Sequence, residues 1–237
     1  CASSWHCRRR LLVPTFAGYI AIGAWAVFVL IPTQGFRAQH KLIYRGQYDD
    51  LVRRIAYEPP DPRLIKDGYR LLLELGAVDQ RNRITALGRR IARLPVDPRL
   101  ARMLIAAEGQ GCLRETLIVV SALAVQDPRE RPLEHQQAAD QAHARFLDER
   151  SDFLAHLNLW EYFQVQRRHL SKSKLRRQCR DEFLSFMRIR EWIDTHGQLR
   201  TLMLEGGARE NYKDASYAQL HRALLSGLLS HIGIRDE

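Results

Sequence analysis

From Asp61 onward, apolar residues recur every three or four positions, the spacing of helices that bury one face. Leu64, Ile65, Tyr69, Leu72 and Leu73 set a first helix after Asp61, and Gly76 stops it. A short apolar pair (Ala77, Val78), a polar turn (79–82) and an extended piece (83–85) follow. Thr85 is placed to cap a second helix over Ala86–Leu94, which Pro95 closes. A helix, a tight β-ribbon and a helix within so short a stretch outline a winged-helix element. Such elements serve both nucleic-acid binding and protein docking, so the outline alone leaves both uses open.

Asp-Pro recurs at 61–62, 97–98 and 127–128. The Asp side chain can accept from free amides of a first helical turn, and the proline φ suits the first helical position. Asp97 opens a helix over Pro98–Glu108, ended by Gly109 and Gly111. Leu113–Val125 is apolar nearly all round and reads as the central, buried helix. Asp127, with Pro132 close behind, reads as a turn in a broken loop over Gln126–Leu133. Gln136–Glu149 is a polar, marginal helix; it and the residue before it bring His143 and His135, both read as surface or packing residues. Ser151 caps Asp152–His169, whose Phe153, Leu154, Leu157, Trp160 and Phe163 are core. Ser171 or Ser173 begins a further helix, Lys174–Asp194. Beyond a loop at 205–207, Tyr217–His231 is a terminal helix, and Ile232-Gly233-Ile234 reads as the start of a strand.

Charge changes this picture at one place. The chain carries a net +10, and residues 167–190 hold nine lysines and arginines against two acids. If Lys174–Asp194 is one helix, Cys179, Phe183, Phe186 and Ile193 share an apolar side. Arg176, Arg177, Arg180 and Arg188 then share a basic one, with Lys172 and Lys174 at its start. Arg190 falls inside the apolar stripe and should be paired with an acid or reach a ligand. Such a face fits phosphates, which supply affinity without sequence preference, and it also fits a merely solvated surface.

The amino-terminal segment differs in character. Leu11–Phe36 contains no charged residue and follows Arg8–Arg10. Leu11–Ile31 is long enough to span a bilayer; a buried helix and a stretch foreign to the functional protein are the other readings, and residues 1–54 stay unassigned. Cys1 in place of Met reads as the start of a fragment or processed chain. The cysteines at 1, 7, 112 and 179 show no paired spacing and read as reduced thiols of a cytoplasmic protein. No phosphate-binding G-x-x-x-x-G-K-[ST] loop, Asp-Glu-Ala-His box, nucleophile elbow or zinc ligand set occurs in the sequence. The chain is therefore expected to hold no cofactor and to hydrolyse no ATP by itself.

Five blocks in order, DGYRLLLELGAVD (67–79), ITALGRRIARLPVDPRLARMLIAA (84–107), VSALAVQDPRERP (120–132), SDFLAHLNLWEYF (151–163) and LRRQCRDEFLSFMRIREW (175–192), resemble the helicase-associated region of DEAH-box RNA helicases, most closely the bacterial HrpA type. The resemblance implies a mainly α fold. A partial winged helix (55–94) is followed by a helical-bundle ratchet domain (95–230) and the first residues of an oligonucleotide-binding (OB) barrel (231–237). It implies ATP and Mg in the parent helicase, and RecA-like motor domains, the OB domain and single-stranded RNA as partners. A membrane is the most distant of the readings. Candidate RNA contacts are Lys172, Lys174, Arg176, Arg177, Arg180 and Arg188 from charge. Ser151, Asp152 and Arg190 join them from their place in the ratchet motifs. A protein-docking scaffold without direct RNA contact is the alternative function.

Overall fold

A computed structural model of the chain describes residues 61–231 and Gly233. The readings for residues 1–54 lie outside the described residues. So does the expected barrel start, apart from His231 and Gly233. The chain divides into two units, Cys1–Leu73 and Glu74–Glu237. Among the described residues there are nine α-helices and two isolated β-bridges but no sheet.

Helix α1 is Pro62–Glu74. Asp61 accepts from the Arg63 amide at 2.8 Å, as the Asp-Pro device requires. In the second unit, Gly76 takes φ +70° and turns the chain into the expected ribbon. That ribbon is one antiparallel bridge, Val78 to Ile84, with Asp79 N–H bonding the Arg83 carbonyl at 2.9 Å. Thr85 caps α2, Ala86–Ile91. Its hydroxyl donates to the Gly76 carbonyl at 2.7 Å and accepts from the Gly88 amide at 3.0 Å. One side chain thus ties the ribbon to the helix.

The rest is a bundle around α4, Leu113–Leu123, the expected buried helix. It packs against α3 (Pro98–Gln110), α6 (Asp152–His169), α8 (Phe186–Glu205) and α9 (Tyr217–Leu225). Asp97 and Ser151 cap α3 and α6 as their sequences predict. Trp192 of α8 is fully buried, and its indole N–H donates to the Ile118 carbonyl and the Ser121 hydroxyl, each at 3.0 Å. A buried donor without such a partner costs about 1–3 kcal/mol, so these bonds fix the register of α8 on α4. Glu115 is buried on α4 and accepts from Asn211 at 2.8 Å and from the Ala215 amide at 3.3 Å, which holds the loop before α9.

Several expectations are corrected. The polar helix α5 runs only Gln136–Ala144, after a 3-10 turn at Leu133–His135. The terminal helix stops at Leu225, where Gly227 leads into a 3-10 turn at Leu229–His231. The main correction concerns the basic helix. In place of one helix over 174–194 there are two, α7 (Lys172–Asp181) and α8 (Phe186–Glu205).

The cause is a left-handed cap built on an unusual residue. Phe183 adopts φ +54°, at the position where helices ending this way ordinarily place glycine. Its N–H bonds the Arg180 carbonyl at 3.2 Å, and the Leu184 N–H reaches back to the Cys179 carbonyl at 2.7 Å. Leu184 and Cys179 are both buried in one core cluster. For a non-glycine residue the left-handed conformation costs roughly 1–2 kcal/mol, and neighbouring bonds offset it. The Phe183 carbonyl accepts from Glu130 N–H at 2.8 Å, and His143 Nε2 lies 3.2 Å from the carbonyls of both Glu182 and Phe183. His143 is thus buried packing, as expected, with a specific task.

Gly88 offers a test of the ribbon–helix contact. A Cβ there would lie 2.0 Å from the Ala77 carbonyl oxygen, backbone that cannot easily yield. Gly88→Ala is expected to destabilise the protein by about 1–3 kcal/mol, the range for overpacking. A urea midpoint equal to that of the wild type would contradict this contact.

Candidate nucleic-acid interface

The two-helix arrangement redistributes the basic residues. On α7, Leu175 and Cys179 point inward, leaving Lys172, Lys174, Arg176, Arg177 and Arg180 exposed. Lys172, Lys174 and Arg180 have no ion pair among the described residues. Arg177 lies 3.7 Å from Asp181, with side chains 83% and 65% exposed; a pair so open to water holds its members weakly. The Arg176 guanidinium sits over the Phe186 ring, 5.2 Å from its centroid.

Arg188 and Arg190 belong to α8, and both differ from expectation. Arg188 is not on the α7 face: it donates to the Asp127 carbonyl at 3.0 Å and lies 3.9 Å from Glu130. Arg190 is not in an apolar stripe, because the break at 182–185 rotates α8 relative to a continuous helix. It is exposed and lines a groove.

Two grooves flank Phe186, which lines both. The first, ≈ 410 Å³, brings Arg167, Lys172 and Arg190 around Phe163 and Phe186, with Asp194 as its acid. The second, ≈ 510 Å³, brings Arg176 and Arg180 beside Phe183, Phe186 and Met187, with Glu130 as its acid. Each groove therefore pairs cations with an aromatic wall.

Ser151 and Asp152 are elsewhere. They start α6, about 22 Å by helical rise from Arg167 near its other end. The Ser151 hydroxyl caps the helix and lies 2.6 Å from His221 Nε2. That imidazole stacks on Tyr217 and has Nδ1 2.8 Å from the Tyr217 carbonyl. Asp152 is exposed.

Arg167, Phe183, Phe186 and Met187 were not among the candidates read from the sequence. Arg167 could have been found from the charge run, which includes it. The aromatic residues could not, since on a continuous helix they fall on the buried side.

A half-buried carboxylate sits beside the turn that separates α7 from α8. Glu182, next to the cap, accepts from Tyr162 at 2.6 Å and pairs with Arg145 at 2.8 Å. Burial, foremost, together with the neighbouring Glu182, raises the Tyr162 hydroxyl above its ordinary value, so it remains a donor at neutral pH. Burial also pushes the Cys179 thiol up to about 11, as expected of an inert core cysteine.

Comparison with known proteins agrees with this architecture. The family of the helicase associated domain (HA2), winged-helix, matches residues 69–96, and the helicase associated domain (HA2), ratchet-like, matches residues 97–157. The ATP-dependent RNA helicase HrpA homolog of Haemophilus influenzae is 50% identical over 195 residues, covering 79% of this chain and 15% of the relative. The ATP-dependent RNA helicase HrpA of Escherichia coli is 52% identical over 184 residues, 76% of this chain and 14% of the relative. The DExH-box ATP-dependent RNA helicase DExH1 of Arabidopsis thaliana is 30% identical over 165 residues, 69% of this chain and 16% of the relative. The chain thus spans about 15% of the length of such relatives. Among the described residues no helix is long and apolar enough to cross a membrane.

Residues 127–130, of which Glu130 lines the second groove, make a measurable contribution. Partial burial works to raise the Asp127 carboxyl, but hydrogen bonds and charge from Arg129 outweigh it and hold the group below its ordinary value. Arg129 Nη2 lies 2.7 Å from that carboxylate. A depressed carboxyl stabilises the fold above its unfolded value of about 4, and the contribution is lost as pH falls through the folded value. Asp127→Asn is expected to cost roughly 1 kcal/mol at pH 7, discounted for the half-exposed side chain. It should also show a smaller stability loss than the wild type between pH 7 and pH 3. Urea midpoints at the two pH values check this; equal acid losses would contradict it.

Proposed function

Because this chain carries the winged-helix and ratchet-like helicase-associated region of HrpA-type DEAH RNA helicases, we propose that α7 and its two grooves grip the phosphates of single-stranded RNA. In the whole protein, RecA-like motor domains bind ATP and Mg and supply the energy for 3′-to-5′ movement. The bundle and an OB barrel help enclose the strand, and the protein works in the cytoplasm. Lys172, Lys174, Arg176, Arg177 and Arg180 are the phosphate contacts, with Arg190 and Arg167 continuing the line into the first groove. Arg188 serves the joint. Ser151 and Asp152 meet the strand at a separate point near the start of α6.

One observation carries this reading: the α7 cations are exposed beside open grooves and are not locked into acid pairs within the bundle. Desolvated, paired arginines would have served packing; solvated, weakly paired ones remain available to a polyanion.

Binding of single-stranded RNA to the chain should weaken steeply with salt, by about 0.7 log unit of affinity per log unit of salt for each phosphate contacted. Replacing Arg176, Arg177 and Arg180 together by Ala should lower affinity at low salt roughly tenfold or more and flatten that slope by about 2. Fluorescence anisotropy across a salt series measures both. An unchanged slope and affinity would leave the docking-scaffold reading, in which the chain binds the separately prepared motor domains and ignores RNA.

A further inference from the structure

Three features of the second groove exceed what phosphate contact requires. Phe183 holds a left-handed backbone conformation, φ +54°, that a glycine would adopt without strain. Strained residues held firmly by their surroundings cluster at ligand sites. Beside it, Met187 exposes 64% of its surface at the rim. The Phe186 ring, which borders both grooves, is overlain by the Arg176 guanidinium at 5.2 Å. The groove's one acid, Glu130, faces Arg188 at 3.9 Å, so it does little to repel an anion.

We infer that the second groove is a base-stacking subsite, in which an unpaired nucleobase lies on the Phe183 and Phe186 rings while Arg176 and Arg180 take the adjoining phosphates. Arg176 is the exchange element. Without a ligand its guanidinium shields a phenyl face that would otherwise meet water; when a strand arrives, it turns to a phosphate and yields the face to the base. Cation–π contact and base stacking use the same surface, so one replaces the other without leaving the ring exposed. The subsite accepts any base, since every base has a π face, and excludes duplex, whose bases are stacked on one another.

This inference rests on the phosphate-gripping reading and deepens it, and the two fail differently. The test compares the chain's affinity for a single-stranded oligonucleotide with that for an abasic strand of equal phosphate number. Roughly tenfold tighter binding of the base-bearing strand is expected, within what stacking of one base supplies. Phe183→Gly suits the local backbone and Phe186→Leu retains apolar volume for packing, so both should fold. Each should reduce that preference, read as the ratio of the two affinities for the same variant, and together they should bring it close to one. A 2-aminopurine placed in the strand should be quenched by the wild type and not by the double variant. Equal affinity of the wild type for both strands, still dependent on Arg176 and Arg180, would overturn the subsite and leave the phosphate grip standing. Persistence of the preference in the double variant would also overturn it. Failure to bind either strand would remove the phosphate-gripping reading and the subsite with it.

Discussion

The left-handed turn at Phe183 is the constraint on which the proposed interface depends. It stops α7 at Asp181 and lets α8 begin anew at Phe186. The turn is unfavourable in isolation for a phenylalanine. It persists because three other parts of the fold close on it: the strand-like strap at 128–130, the buried imidazole of His143, and the Leu184–Cys179 contact in the core. The strap itself bonds twice across the joint, with Ser185 N–H reaching the Pro128 carbonyl at 2.8 Å as Glu130 N–H reaches Phe183. Bonds to the Phe183 carbonyl on one side of a bend and from the Ser185 amide on the other resist straightening far better than either would alone. The grooves exist because that bend cannot be straightened without breaking all of them.

The same joint sorts the arginines by role. Arg188 faces the strap and Arg129 belongs to it, and the two are consumed by Asp127 and Glu130. Arg145 lies between the Phe146 and Tyr162 rings and the Glu182 carboxylate. These are half-buried, well-bonded guanidinium groups whose removal would leave acids unpaired. The α7 cations have the opposite character: exposed side chains, with one open pair to Asp181 and one guanidinium over the Phe186 ring. Net charge would have counted all of them alike. Only their partners separate the arginines that build the site from those able to meet a ligand.

Much of the fold was legible because capping and periodicity are local. Thr85, Asp97 and Ser151 were read as helix starts and are helix starts, since a short acceptor before an apolar repeat has little else to do. Leu113–Val125 was read as central because a helix apolar nearly all round must be buried, and the helix found there, Leu113–Leu123, is the centre of the bundle. The break at 182–185 was illegible for an equally physical reason. The sequence there, DEFLSF, has no glycine or proline, and its apolar spacing continues a helix without interruption. What breaks it is tertiary: carbonyls of residues 182 and 183 are claimed by Glu130 and His143, far away in sequence. The candidate site inherited that error. The α7 cations could be singled out as exposed because charge runs need no geometry, whereas Phe183 and Phe186 were put on the apolar side by an extrapolated wheel, as was Arg190, which is exposed.

The side chains around the grooves also bear on what kind of recognition is possible. Reading a base by its edge needs paired donors and acceptors held at fixed positions, as amide or bidentate side chains provide. Among the described residues neither groove has an asparagine or glutamine; the walls are guanidinium and ammonium groups, phenyl rings and aliphatic surface, with Asp194, Glu130 and Ser185 as the only other polar side chains. Charge and π faces are what all nucleotides share. A surface made of them binds a strand at any register with nearly equal free energy, so successive positions are separated by small barriers. A grip that must release and retake a strand one nucleotide at a time benefits from that flatness, because a tightly read sequence would trap it. On the proposed reading, the grooves are suited to hold a strand and poorly suited to choose one by its sequence.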